Sequence, residues 1–377
     1  MTRGEVHVPR ERFDVERFRV LPVHPVPHTA QQGQGLQVLG VPSGHLPMMP
    51  RRPAPCQGVE CPRAVVFATS MKALVYTEFG GADRFELTEV DDPHIGPDTL
   101  MVRVAAAGLN PVDYKLREGH LRGLFDTRLP AVPGWDVAGV VEQVGLDTPE
   151  YAVGDRILAY ARADVVEHGS LAELMPVPVR TAAPIPEGLS FEDAAALPLA
   201  GLTALQTVER SGLTEGDTVL VHNAAGGVGS FAVQLARLRG ARVIGTASAA
   251  KHDYVRSLGA EPVEYGDPLI EQVRALAPDG IDVVLDYAGG GALDSTPTLL
   301  REGGFVVSIT DPHARDEFDG VYAWVRPDAV QLAALAQLAA DGTLRVERAA
   351  TYPLADAVEA YRQLEAGHVH GKIVVTI

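Results

Sequence analysis

Six residues, Ala224-Ala225-Gly226-Gly227-Val228-Gly229, have the types and spacing to hold a pyrophosphate. Small side chains let backbone N–H groups approach an anion, and the positive end of a following helix dipole favours it there. An apolar, β-branched run, Asp217 to His222, precedes them, and apolar residues recur after Val228 at Ala232, Leu235 and Leu238 until Gly240. A strand before and a helix after are the context in which a glycine-rich turn binds a dinucleotide. Ala225, Gly226, Gly227 and Val228 are therefore candidate cofactor-binding residues. Ala224 stands where the first glycine of the usual G-x-G-x-x-G pattern would be.

The cofactor is read from the end of the next strand, Arg242 to Gly245. An Asp or Glu there would bind a ribose 2′-hydroxyl. The chain instead continues Thr246-Ala247-Ser248 and reaches Lys251, a hydroxyl and a cation that suit a 2′-phosphate. Ser248 and Lys251 are thus candidate ligands for NADP(H) in preference to NADH. Ser248 is also placed to cap a helix whose apolar residues include Val255 and Leu258.

The elements needed to position such a loop fit a chain of 377 residues with 46% hydrophobic and 21% charged residues, enough for two globular domains. The net charge of −17 conceals a division. Residues 1 to 70 hold 8 Lys/Arg and 5 Asp/Glu, which leaves 24 against 44 for the remainder. So acidic a surface repels nucleic acid and anionic lipid. No apolar run reaches the ~18 residues of a membrane span, and no signal peptide is recognisable. Cys56 and Cys61 are the only cysteines and have no metal-ligand spacing around them, so a reduced, cytoplasmic setting is expected.

Residues 1–70, rich in Pro, Arg, Gln and Gly, read as a disordered extension, with Met71 as a possible natural start. From 71 to about 190, short β-type runs such as Leu100 to Ala105 and Val137 to Val144 indicate a β-rich, barrel-like domain. From 191 to 311 an Ala/Leu-rich helix, Phe191 to Arg210, leads into alternating strands and helices. Ile281 to Asp286 and Gly304 to Ile309 there are continuous apolar runs of the kind a parallel sheet covered on both faces requires. From 312 the chain returns through a helix, a short strand, a helix from Leu354 to Ala366 and a strand from Ile373 to Ile377. The fold class is α/β.

Five motifs occur in order: Gly108-Leu109-Asn110-Pro111-Val112-Asp113-Tyr114-Lys115, Pro133-Gly134-Trp135-Asp136-Val137-Ala138-Gly139, Pro198-Leu199-Ala200-Gly201-Leu202-Thr203-Ala204, the glycine loop, and Gly371-Lys372-Ile373-Val374-Val375. With them, Met71 to Ile377 resembles the zinc-independent quinone oxidoreductase (zeta-crystallin-like) and enone reductase branch of the medium-chain dehydrogenase/reductase superfamily. The resemblance implies a GroES-like catalytic domain built from 71–190 and 312–377, and a doubly wound Rossmann coenzyme domain between them. Zinc-dependent members carry a Cys ligand near the Asn110 segment and Gly-His-Glu at Gly134-Trp135-Asp136. This chain has neither, so no metal site is expected.

The resemblance implies hydride transfer from NADPH to a quinone or an α,β-unsaturated carbonyl compound, with the protein stabilising charge on the carbonyl oxygen. Lys115 would donate a hydrogen bond to that oxygen, Asn110 would orient the nicotinamide ribose or the substrate, and Tyr114 would cover the pocket or donate a proton. Thr203 is implied near the nicotinamide, Tyr265 near the adenine and Lys372 near the cofactor from across the cleft. Asp136 is expected to make structural hydrogen bonds and Asp286 to cap a turn, while His222 is the one histidine placed near the loop. A homodimer is implied. Two other readings compete: an enoyl-thioester reductase, which a basic groove would favour, and a non-catalytic NADPH-binding protein of the crystallin or sensor type.

Overall fold

The computed structural model describes residues 70–377. The extension expected over residues 1–70, with Cys56 and Cys61, lies outside the described residues except for Ser70, which begins the strand Ser70–Tyr76. Two sheets organise the rest. The first has six strands, all parallel, in the spatial order Glu261–Val263, Arg242–Thr246, Thr218–His222, Ile281–Asp286, Leu300–Ser308 and Val321–Tyr322. The chain starts in the middle, winds outward one way and then crosses back to wind the other, which is the doubly wound Rossmann order. The central strands, such as Val219-Leu220-Val221 and Val283-Val284-Leu285, are buried on both faces. Their unbroken apolar character follows from that.

The second sheet runs in the order Arg348–Pro353, Lys372–Thr376, Thr99–Gly108, Asp136–Val144, Arg156–Tyr160 and Ala182–Pro184, with Leu174–Pro178 also paired to Thr99–Gly108. Val374 lies opposite Gly108, so strands from the two ends of the described chain are direct neighbours. This mixed α/β architecture is the GroES-like and Rossmann combination implied by the five motifs.

Where the details differ, local chemistry accounts for them. The single helix expected over 191–210 is two, Phe191–Ala196 and Pro198–Arg210. Pro198 has no N–H to extend the first helix but is at ease in the first turn of the second. The restart leaves the N–H of Leu199 without an intrahelical partner, and the Oδ1 of Asp136 accepts it at 2.9 Å. The helix expected from Leu354 begins as a 3₁₀ turn, Leu354–Asp356, before Ala357–Ala366. The strand expected from Gly304 starts earlier, at Leu300.

The glycine loop is tight for two definable reasons. A Cβ on Gly229 would lie 2.1 Å from the Asn223 carbonyl oxygen, so the helix Gly229–Leu238 can begin this close to the strand only with glycine there. Ala224 is tolerated because its neighbour across the sheet is Gly245, where a Cβ would come within 2.6 Å of the Ala224 methyl. The glycine missing from the motif is thus compensated on the adjacent strand. Among the described residues no helix is long and apolar enough to cross a membrane.

Candidate active site

A cavity of about 440 Å³ lies where the two sheets' connecting segments meet. Asn110, Lys115, Thr203, Gly226, Gly227, Val228, Lys251 and Lys372 all border it. A second cavity of about 830 Å³ is bordered by Ala225, Ser248, Lys251, Tyr265 and His222. Lys251 faces both. Of the candidate catalytic and cofactor-binding residues, Tyr114 alone borders neither. It is half-buried against a separate apolar cluster with Tyr361 and Leu109, and burial, with Glu118 and Glu365 nearby, raises its phenol pKa. Successive helical residues point about 100° apart, so Lys115 can face the cavity while Tyr114 turns from it.

The floor of the smaller cavity is a buried polar network. Asn110, just before the helix Pro111–Arg117, donates its N–H to Asp113 Oδ2 at 2.8 Å and its amide Nδ2 to Asp136 Oδ2 at 2.8 Å. Its Oδ1 accepts from the Nζ of Lys372, which also donates to the Leu109 carbonyl at 2.7 Å. Lys372 Nζ stands 3.9 Å from Asp136 Oδ2. All four side chains are buried. Burial pushes the Asp113 carboxyl up to about 7, with Asp136 adding to the rise and the Asn110 N–H and Lys372 opposing it. Burial likewise raises Asp136 to about 6 against the pull of Lys372, Asn110 and the Leu199 N–H. The same burial lowers the Lys372 ammonium, which the two carboxylates support.

The stem of Lys372 also shapes the loop, since a Cβ on Gly227 would lie 3.0 Å from its Cδ. Gly371 donates its N–H to the Ala225 carbonyl at 3.1 Å. Thr203 is buried with its hydroxyl donating to the Leu199 carbonyl at 2.6 Å, and one turn later Thr207 shares a 2.6 Å hydrogen bond with the Tyr287 hydroxyl.

At the other end, Ser248 precedes a 3₁₀ turn, Ala249–Lys251, and makes no side-chain cap, contrary to the capping expected of it. Its hydroxyl is left to the cavity. Lys251 Nζ donates to the Val369 carbonyl at 3.2 Å. Tyr265 is 62% exposed, which leaves its ring free to cover a planar group. Asp286 does cap a turn, accepting from the N–H groups of Ala288 and Gly289 through Oδ1 and from Ser308 and Thr310 through Oδ2. Burial lowers the His222 pKa, and nearby Asp286 opposes the fall.

Two residues escaped the sequence reading. Asn223 adopts φ +56°, donates its N–H to Thr246 Oγ1 and its amide to the Tyr287 carbonyl, and so sets the turn into the glycine loop. An Asn immediately before a Gly-rich run was its available signal, because Asn is enriched in left-handed backbone. Trp324 borders the smaller cavity from a segment that carries no motif.

The donor set fits a phosphorylated dinucleotide. Among the described residues no backbone hydrogen bond uses the N–H groups of Gly227 and Val228, which lie at the entry of an α-helix. Ser248 and Lys251 offer a hydroxyl and a cation where a 2′-phosphate would lie, although Asp267 and Asp294 also border that cavity. Among the described residues no group of three or more His, Cys, Asp or Glu side chains is arranged to hold a metal ion.

Comparison with known proteins defines the class. The pattern of the alcohol dehydrogenase GroES-like domain matches residues 96–187, and that of the zinc-binding dehydrogenases matches residues 258–375. The chain belongs to the quinone oxidoreductase branch of the medium-chain dehydrogenase/reductase superfamily. It is 38% identical over 315 residues to a chloroplastic NADPH-dependent alkenal/one oxidoreductase of Arabidopsis thaliana, covering 81% of this chain and 79% of the relative. The quinone oxidoreductase of Coxiella burnetii superposes with a TM-score of 0.75 at 32% identity, over 82% of this chain and all of the other. A mycobacterial protein solved with NADPH superposes with a TM-score of 0.71 at 28% identity, over 81% of this chain and all of the other.

Proposed function

We propose that the protein is an NADPH-dependent oxidoreductase that reduces a quinone or an α,β-unsaturated carbonyl compound without zinc. One observation carries the reading: Lys115, Thr203, Lys372 and the Gly226-Gly227-Val228 loop border one cavity. Two of the proteins named above are called an alkenal/one oxidoreductase and a quinone oxidoreductase, which supports the same acceptor class.

NADPH, when bound, supplies the hydride that adds to the electrophilic carbon of the acceptor. The chain supplies position and charge. Lys115, exposed and on the cavity wall, donates a hydrogen bond to the acceptor's carbonyl oxygen as negative charge grows there. Asn110 acts through Lys372 instead of touching substrate, since its amide is already committed to Asp136 and Lys372. Thr203 and the loop N–H groups receive the nicotinamide half, and Ser248, Lys251 and Tyr265 the adenosine half with its 2′-phosphate. The zinc-free route is supported by the floor itself: its two carboxyl groups, Asp113 and Asp136, are buried and engaged by Asn110, and the Lys372 ammonium 3.9 Å from Asp136 would repel a divalent cation. A homodimer in a reducing, cytoplasmic setting belongs to the same proposal.

The test is anaerobic oxidation of NADPH, and separately NADH, by purified protein with a small enone and a simple benzoquinone as alternative acceptors. Turnover that prefers NADPH establishes the reductase. NADPH binding with no turnover on either acceptor sinks it in favour of a binding protein.

A further inference from the structure

The chain has only two tryptophans, Trp135 and Trp324, and both border the smaller cavity. They belong to a file of four rings. Tyr160 meets Trp135 edge-on at 6.2 Å, Trp135 meets Phe125 at 5.3 Å, and Phe125 meets Trp324 at 6.4 Å. Trp135 and Tyr160 are buried, whereas Trp324 is 41% exposed. Its backbone is held on both sides. Ala323 donates its N–H to the Ser308 carbonyl at 2.8 Å, Arg162 holds the Val325 carbonyl at 2.9 Å, and Gln206 grips both the N–H and the carbonyl of Arg326.

An exposed indole on a held backbone, facing the same cavity as buried Trp135, is placed to stack on a second ring. Face-to-edge and offset contacts with a second flat ring add stabilisation beyond the area they bury. No Asp or Glu lines this cavity directly, and the floor carboxyls of Asp113 and Asp136 lie behind Asn110 and Lys372. The volume of about 440 Å³ leaves space for a ring beside the nicotinamide.

We infer that the acceptor is a flat, uncharged, ring-bearing carbonyl compound, an aryl-conjugated enone or a quinone, and that Trp324 is the residue that selects it over small aliphatic enones. The inference rests on the proposed acceptor site but is separable from turnover. Because both tryptophans border one cavity, selectively excited tryptophan fluorescence reports on that cavity. The probes are 4-phenylbutan-2-one, a saturated ketone with no double bond to reduce, and butan-2-one, each titrated into the NADP⁺-saturated protein.

Saturable quenching by the phenyl ketone, with an affinity at least about tenfold tighter than that of butan-2-one, is the expected result. Trp324→Ala should erase most of that ratio and Trp324→Phe should restore it, and the kcat/KM ratio of 4-phenylbut-3-en-2-one to but-3-en-2-one should fall in parallel. Equal affinities for the two ketones in the wild type would overturn the inference. So would a Trp324→Ala variant that weakens both ketones alike, or one that only dissociates a dimer in sedimentation, which would assign Trp324 to a subunit interface beside the edge strand Val321–Tyr322. Quenching with the expected ratio but no turnover of either enone or benzoquinone would leave the ring-binding site standing and remove the reductase reading.

Discussion

The Nζ of Lys372 donates to the Oδ1 of Asn110, a contact between residues 262 positions apart in the chain. It joins the last strand, Lys372–Thr376, to the start of the helix Pro111–Arg117, and it places the stem of the lysine against Gly227. The ammonium has two buried carboxylates around it. Its loss should therefore be felt in stability before it is felt in chemistry.

Lys372→Met removes the only cation in the network and leaves Asp136 and Asp113 buried with amide and backbone donors alone. Breaking a buried pair by deleting one partner costs ~3–5 kcal/mol. Urea denaturation should show a loss of that order. The double variant Lys372→Met/Asp136→Asn should recover part of it, because the uncompensated charge is gone. Full additivity of the two single losses would show that the residues do not act as a pair.

Asp113 makes stability fall as pH rises. Its carboxyl is raised in the folded protein to about 7, mainly by burial, from an ordinary value near ~3.9 when unfolded. Between those values the folded state holds the proton and the unfolded state has released it, so unfolding becomes easier with increasing pH across that window. Asp113→Asn abolishes this contribution. The difference in unfolding free energy between variant and wild type should grow in the variant's favour from pH 4 to pH 7 and then level off. A pH-independent difference in denaturant midpoints would contradict it.

Lys115→Met should lower kcat/KM for enones by about ten- to a hundredfold, the worth of one hydrogen bond to a developing charge. Lys115 is exposed and its side chain packs no core, so the melting temperature should hardly move. A large drop in melting temperature with little change in rate would place the lysine in the scaffold instead.

Lys251→Ala should reduce the preference for NADPH over NADH by about tenfold, as befits the loss of one charge-assisted contact to a 2′-phosphate. The binding constants of both cofactors, measured by fluorescence titration, check this. NADPH and NADH weakened by equal factors would mean that Lys251 serves another group, such as the Val369 carbonyl it holds in the structure.

The parts of the molecule legible from sequence were those whose causes are local. Asp217 to His222, the glycine loop and the helix after it could be read from β-branched runs, small residues and helical spacing, and the structure has the strand at Thr218–His222 and the helix at Gly229–Leu238. What was not legible depends on distant partners. Gly245 making room for Ala224, Asp136 receiving the N–H of Leu199, and the pinning of Trp324 by Arg162 and Gln206 each join residues that share no sequence window. The neighbours Tyr114 and Lys115 arrived together in one motif, and only the rotation of the helix separates them.

The pairing of Val374 with Gly108 fixes an order of assembly. The strand Thr99–Gly108 leaves the ribosome early but cannot gain this neighbour until the whole parallel sheet has been synthesised and the chain has come back. Closing so long a loop is slow and depends on what lies inside it. The glycine loop, which is local, can thus form in the nascent chain well before Lys372 arrives, so the polar floor around Asn110 is the last part of the cavity to be completed.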